Sequence, residues 1–338
     1  MNRRIFLMSA IGAAACRTAE RRLNVYNWSD YIAPDTIPNF EREFGVRVRY
    51  GTYELTEEML AKVMSGNSQW DIVFPSSDFI QPMVSMGLLH PLDRSQLPNL
   101  GALDAGFRTP PWDPKVEWSV PFMHGTTGIV YQKALGVNSW ADLWDARLRG
   151  KITMLDDPQD VLGACLKKIG DPLNSGDPAQ LRAASEQAIA QKRLLRAYLN
   201  AEVRDQLIAG DVAVAQAWAV TAGQAIAAAP GKLAYAFPAE GFARYADTVA
   251  ILRESGRAGL AHSFINYLLR PEVAASIVRT TQTATANAAA LRLLPTEVRE
   301  NPVLYPPAAT LARGEWFEPH STASQKLRDR LWTEIKSS

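Results

Sequence analysis

The chain has 338 residues, with 36 basic and 35 acidic side chains and a formal net charge of +1. That length exceeds one ordinary domain and suits two α/β lobes, while the even charge balance excludes a basic footprint for nucleic acid and a polybasic membrane patch. Apolar residues make up 47% and charged residues 21%, the mix of a globular protein, and nine tryptophans supply either core or the walls of an aromatic-lined site.

In chain order, residues 1–16 read as an export signal and stand outside the fold. Arg3 and Arg4 form a positive start, and 5–15 is a short apolar run, well below the roughly 20 residues that span a bilayer. Ala13-Ala14-Ala15 then meets Cys16, as in a bacterial lipoprotein signal whose cysteine becomes the lipidated first residue, although Ala13 stands where Leu is usual. Arg3-Arg4-Ile5-Phe6-Leu7 also resembles a twin-arginine signal. With Cys16 removed or lipidated, Cys165 has no partner, so no disulfide is expected and Cys165 reads as a small buried hydrophobe.

Strand-like and helix-like patterns then alternate. Residues 23–28 predict a strand, 35–44 a helix, and 46–50 a half-buried strand alternating apolar and basic. Thr56 is expected to cap a helix with Glu57 and Glu58 in its first turn, Met59, Leu60, Val63 and Met64 at helical spacing, and a stop at Gly66. Residues 71–74 predict a short strand closed by Pro75. Further on, 152–155 predicts a strand, Asp156-Asp157-Pro158 opens a helix, 212–218 is a strand, 219–229 a packed helix, 248–252 a strand, and 258–269 a helix ended by Pro271. Trp140 and Trp144, four apart on a helix, and Trp316 and Trp332 are expected to pack. No heptad or repeat period is present. The order predicts an α/β protein with largely parallel sheets flanked by helices.

Parallel α/β lobes bind ligands at the carboxyl ends of their strands. The segments there are Ser29-Asp30-Tyr31, Ser76-Ser77-Asp78, 156–160, Trp218 and 245–247. Together they hold carboxylates, aromatic rings and small hydroxyls, a set suited to an organic cation. Carboxylates neutralise an ammonium group, aromatic faces attract it, and hydroxyls accept its remaining N–H donors. Asp157 and Asp160, three apart at a helix start, share a face, and Asp156 reads as solvated or structural. Catalytic and metal signatures are missing. There is no H-E-x-x-H, C-x-x-C, phosphate-binding glycine loop or G-x-S-x-G, and His90, His124, His262 and His320 have no ligand spacing. No cofactor, metal or enzymatic role is expected.

The run Val25-Tyr26-Asn27-Trp28-Ser29-Asp30-Tyr31-Ile32 resembles the opening of the bacterial polyamine-binding proteins, the periplasmic receptors for spermidine and putrescine. So do Thr52-Tyr53-Glu54, Pro75-Ser76, Ser139-Trp140-Ala141-Asp142-Leu143-Trp144, Asn266-Tyr267-Leu268-Leu269-Arg270-Pro271 and Val298-Arg299-Glu300-Asn301-Pro302, and the end near Tyr305-Pro306-Pro307 is similar to the putrescine branch. The resemblance spans nearly all of the chain after the signal. It implies a type II periplasmic-binding-protein fold of two α/β lobes, 22–127 plus 247–292 and 128–246 plus 293–338, joined by crossing strands with the ligand cleft between them. It also implies a monomeric, non-enzymatic receptor that hands a polyamine to an ABC permease in the periplasm, touching the membrane only through a lipid on Cys16.

Carried over residue by residue, the resemblance puts Trp28, Ser29 and Tyr31 at an aromatic wall with polar contacts. Ser76 falls after the following strand, Asp157 and Asp160 at acidic positions for an amino group, Trp218 at a second wall, and Asp247 at the carboxylate that binds ammonium. Tyr245 keeps a π face where the family has a different aromatic. Asp78 replaces an aromatic or small residue, either adding a carboxylate to the cleft or starting a helix. Thr283 stands where Tyr is usual, and Phe317 stands near a Gln of the spermidine branch. The residues leave open another small solute on the same fold, such as an amino acid or quaternary amine, and a sensory role in place of transport.

Overall fold

The computed structural model describes residues 21–338; the export signal and Cys16 lie outside them. Strand β1 (Arg22–Trp28) is buried on both faces from Leu23 to Asn27, the mark of an inner strand covered on each side. Its neighbour β2 (Arg47–Tyr53) alternates and lies at the edge. The helix Thr36–Phe44 between them ends at Gly45, whose φ of 61° lets its N–H reach Glu41 O. The next helix, Thr56–Met64, corrects one expectation. Leu55 occupies the cap position with no side-chain bond, and Thr56 is already the first helical residue, with its hydroxyl donating to Ser76 Oγ at 3.4 Å. Its two first-turn acids are where expected.

The remaining strands are β3 (Ile72–Val73), β4 (Leu89–His90), β5 (Ser119–Gln132), β6 (Ile152–Met154), β7 (Leu195–Tyr198), β8 (Val214–Trp218), β9 (Leu233–Ala236), β10 (Phe242–Leu252), β11 (Ala284–Thr285) and β12 (Gly314–Trp316). The sheet runs β2-β1-β3-β10-β5-β8-β6-β7. Pairing is parallel among β2, β1 and β3, and again among β8, β6 and β7. The two long strands β10 and β5 lie antiparallel between these halves and run from one into the other. The molecule is therefore two-lobed, with a parallel α/β layer in each lobe and crossing strands between.

Each half carries its own core. Leu23, Val25, Phe40, Ile72, Phe74 and Phe264 fill one face of the first parallel set, and Tyr26, Tyr53, Met59, Trp70, Ile80 and Met83 the other. In the second half, Ile152, Met154, Val161, Cys165 and Phe242 pack with Trp140 and Leu331, opposite Val130, Val203, Leu207, Ala215 and Ala222. Cys165 is free and buried. Trp140 is in the core and donates from Nε1 to Gly241 O at 2.8 Å, but Trp140–Trp144 is a single 3-10 turn capped by Ser139 and not the helix expected. Trp332 packs edge-on to Tyr198, and Trp316 packs on Trp112. Leu294 and Val298 pack with Ala274 and Val278 of the helix Pro271–Thr281.

Candidate functional site

One cavity of about 230 Å³ collects all ten residues singled out from the strand ends: Trp28, Ser29, Tyr31, Ser76, Asp78, Asp157, Asp160, Trp218, Tyr245 and Asp247. After β1 the chain turns sharply at Asp30, whose φ of 53° is left-handed. Aspartate tolerates that conformation better than most residues, and the turn presents Ser29 and Tyr31 on the cavity side. After β3 and Pro75, Ser76 leads into the short turn Ser77–Phe79. Asp78 lines the cavity and is the second residue of that turn, which Ser77 starts and Ser76 precedes as the cap residue. After β6, Asp157 caps the helix Pro158–Lys168 by accepting from the Gln159 and Asp160 amides at 2.8 and 2.9 Å. Asp157 is therefore a helix cap as well as a lining residue. Asp156 points elsewhere, to Lys336 Nζ at 2.7 Å.

Asp247 is aimed by an irregularity in the sheet. The register between β10 and β5 shifts between Asp247 and Thr248, so Asp247 faces Met123 while Thr248 faces Pro121. Such bulges re-aim a side chain. Its carboxylate accepts from Tyr31 Oη at 2.5 Å and from Ser76 Oγ at 3.1 Å. Burial raises the Tyr31 phenol well above its usual range, so it stays protonated and donates. Tyr245 lies over Gly125 of β5, its partner in register. A Cβ there would come within 2.3 Å of Tyr245 Oη, so glycine is what lets the ring lie against the crossing strand.

The electrostatics of the cavity are one-sided. Asp247, Asp160 and Asp78 are only 4%, 5% and 8% exposed. Burial, opposed by the Tyr31 and Ser76 bonds, pushes Asp247 up to about 6. Asp160 is pushed up to about 8, by burial first and then by the Asp157 charge; Trp218 Nε1, donating at 2.8 Å, works against this. Asp160 Oδ1 and Thr127 Oγ1 face each other without a well-formed bond. Asp78 is pushed up to about 7 by burial, with Asp157 and Asp247 adding repulsion and Gln159 leaning towards it from the facing half. Asp157 is raised as well, again by burial. Among the described residues no cationic side chain is a cause of these shifts, and burial makes each carboxyl resist ionisation.

Several lining residues were not singled out from the sequence: Glu54, Glu57, Phe79, Gln159, Arg204 and Gln224. Glu57, in the first turn of the helix Thr56–Met64, lies exposed along the rim. A signal for it existed, since it follows the end of β2, a strand that extends three residues beyond the 46–50 expected. Phe317 also lines the cavity, whereas Thr283 is buried away from it. No cluster of three or more His, Cys, Asp or Glu arranged to hold a metal ion occurs among the described residues.

A fold of two α/β lobes around such a cavity defines a solute-binding protein. Residues 36–305 match the family model of the bacterial extracellular solute-binding proteins, and the chain belongs to that family. It is 32% identical to the putrescine-binding periplasmic protein PotF of Escherichia coli, over 98% of this chain and 95% of that one. It is 33% identical to the spermidine/putrescine-binding periplasmic protein of Salmonella typhimurium, over 93% and 92%. Among solved structures it matches the spermidine/putrescine ABC transporter substrate-binding protein PotD of Streptococcus pneumoniae with a TM-score of 0.82 and 30% identity, covering 94% of this chain and 99% of that one. Among the described residues no helix is long and apolar enough to cross a membrane.

Proposed function

We propose that this protein captures a polyamine in the cavity and delivers it to the permease of an ABC importer, without catalysing a reaction. The observation that carries this reading is the set of cavity carboxylates Asp78, Asp157, Asp160 and Asp247, all held above the usual carboxylate range, by burial first and with no cationic side chain among the causes. A multiply charged amine supplies what they lack, since alkyl ammonium groups titrate near 10.4 and arrive charged. One ammonium sits on Asp247, beside Ser76 and Tyr31. The other sits on Asp160, beside Asp78 and Asp157. Trp28, Tyr31, Trp218 and Tyr245 cover the methylene chain and offer π faces to its charged ends.

The lobes are 22–127 plus 247–292, and 128–246 plus 293–338, with the packing of Leu294 and Val298 on the helix Pro271–Thr281 favouring a division a few residues later. Asp247, Tyr31, Ser76 and Asp78 then stand on one lobe and Asp157, Asp160, Trp218 and Tyr245 on the other, so a ligand bridging them favours the closed form. Cys16 carries a lipid that holds the exported protein at the membrane. Fatty-acid labelling of the full chain, lost in Cys16→Ser, is the expected result, and equal labelling of both would discard the anchor.

Calorimetric titration of the chain from residue 21 onward with putrescine, cadaverine, spermidine, choline and an ω-amino acid tests the assignment. Tight one-to-one binding of a diamine or triamine is expected. Preference for choline or the amino acid would reassign the ligand while leaving the fold reading in place.

A further inference from the structure

Among the residues lining the cavity, seven carry carboxylates, Asp30, Glu54, Glu57, Asp78, Asp157, Asp160 and Asp247, and one carries a positive charge, Arg204. Burial shifts Asp78, Asp157, Asp160 and Asp247, with repulsion from within the group added at Asp78 and Asp160; Arg204 is not among the causes. It comes instead from the helix Val203–Ala209 and meets the helix Ala219–Ala228, two elements that contribute none of the buried carboxylates. Its Nη1 donates to Gln224 Oε1 at 3.5 Å, and Gln224 is itself tied by Nε2 to Thr281 O at 2.9 Å. Its Nε donates to Asp205 Oδ1 at 3.0 Å. Asp205 is 75% exposed on its side chain, so water screens that pair and the guanidinium charge is only weakly cancelled.

We propose that Arg204 sets the specificity of the cavity by charge: a ligand with two ammonium groups is accepted, and a third cationic centre directed along the Ala201, Thr221 and Gln224 edge is repelled. The inference rests on the polyamine reading above. A cation in a cavity built for cations does nothing for the accepted ligand. Its use is against a competitor, because discrimination is a difference of affinities and a repulsive element counts as much as an attractive one. A diamine is satisfied by the two carboxylate groupings on Asp247 and Asp160. A triamine of the same spacing has an ammonium left over, and no buried carboxylate lies on the Arg204 helices to receive it. Salt weakens the exclusion because the side chain is 42% exposed.

The test is the ratio of spermidine to putrescine affinity, by titration, in the unaltered protein, Arg204→Gln and Arg204→Lys at low and high salt. In Arg204→Gln both amines gain, the triamine more, and the ratio moves towards spermidine by about tenfold or more. Arg204→Lys keeps the original ratio. Added salt moves the ratio towards spermidine in the unaltered protein and in Arg204→Lys but much less in Arg204→Gln, a response that a purely structural role would not produce. An unchanged ratio in Arg204→Gln, or equal loss of both amines, overturns the inference alone. Failure of the unaltered protein to bind either amine removes the polyamine reading and this inference together.

Discussion

Replacing Asp247 by asparagine is expected to weaken diamine binding by about a hundredfold or more, read by titration at pH 8. Asp247 is 4% exposed, and both of its oxygens are already engaged, by Tyr31 and Ser76. An ammonium placed against it is removed from water and depends on that charge. Taking away one partner of a buried, hydrogen-bonded ion pair costs about 3–5 kcal/mol, which at roughly 1.4 kcal/mol per decade is about two to three and a half orders of magnitude in affinity. Asparagine has the same shape, its oxygen still accepts from Tyr31 and its NH2 can donate to Ser76 Oγ, so the fold is retained. The ligand-free variant is expected to melt higher than the unaltered protein at pH 8, because an unpaired buried charge has been removed. Asp156→Asn, at a residue paired with Lys336 outside the cavity, is expected to leave affinity within about a factor of two. Equal affinity in Asp247→Asn and the unaltered protein would remove Asp247 from the ligand's contacts.

The second large effect is on pH dependence, and its sign differs between the ligand-free and the bound protein. In the folded chain Asp160 titrates at about 8, Asp78 at about 7 and Asp247 at about 6, all above the roughly 3.9 of an unfolded aspartate. Between those limits the folded state holds protons that the unfolded state has lost, so stability falls as pH rises, by about 1.4 kcal/mol per pH unit for each group still protonated only when folded. The ligand-free protein is therefore expected to melt higher at pH 6.5 than at pH 8. Below 6.5 His124 and His320, each held down near 4 by burial first and then by Arg244 and Arg328 respectively, pull the other way, so the comparison belongs above that value.

A bound dication reverses the order by favouring the ionised carboxylates. Putrescine is expected to bind at least tenfold more weakly at pH 6 than at pH 8. It should also release about one proton or more per site at pH 7, measured as the dependence of the titration heat on the ionisation heat of the buffer. A flat affinity profile with no proton release would mean that the carboxylates are ionised before the ligand arrives, and the electrostatic account of the site would fail.

Much of the site was legible because parallel α/β layers put ligand contacts at one end of their strands. Trp28, Ser29, Tyr31, Ser76 and Asp78 follow strands whose apolar cores are short and clear, at Leu23 to Tyr26 and at Ile72 to Phe74. The central strand β5 was not legible. It is buried on both faces for most of its 14 residues, with His124, Gly125 and Gly128 inside it, so neither alternation nor a clean apolar run marks it. The first half of β10 was missed for a related reason: it crosses between lobes, and its neighbours change along its length from β12 to β3 and β4. Arg204 gave no signal at all. It follows β7, four residues at the sheet edge, and only the approach of two helices brings it to the cavity.

The sequence by itself determined the kinds of groups and their strand-end positions: carboxylates, rings and hydroxyls, a set suited to a cation, on an α/β frame too long for one lobe. Those follow from local rules, since period, capping and turn chemistry act within a few residues. Only the tertiary structure decided the charges these groups carry and the company they keep. Asp247 is turned inward by a bulge that requires β5 beside it. Asp160 is held near neutrality by burial and by Asp157, and Asp78 meets Gln159 from the facing half. Desolvation and Coulomb repulsion depend on distances in space, and residues 82 apart in the chain, such as Asp78 and Asp160, become neighbours only when the crossing strands bring the two lobes together.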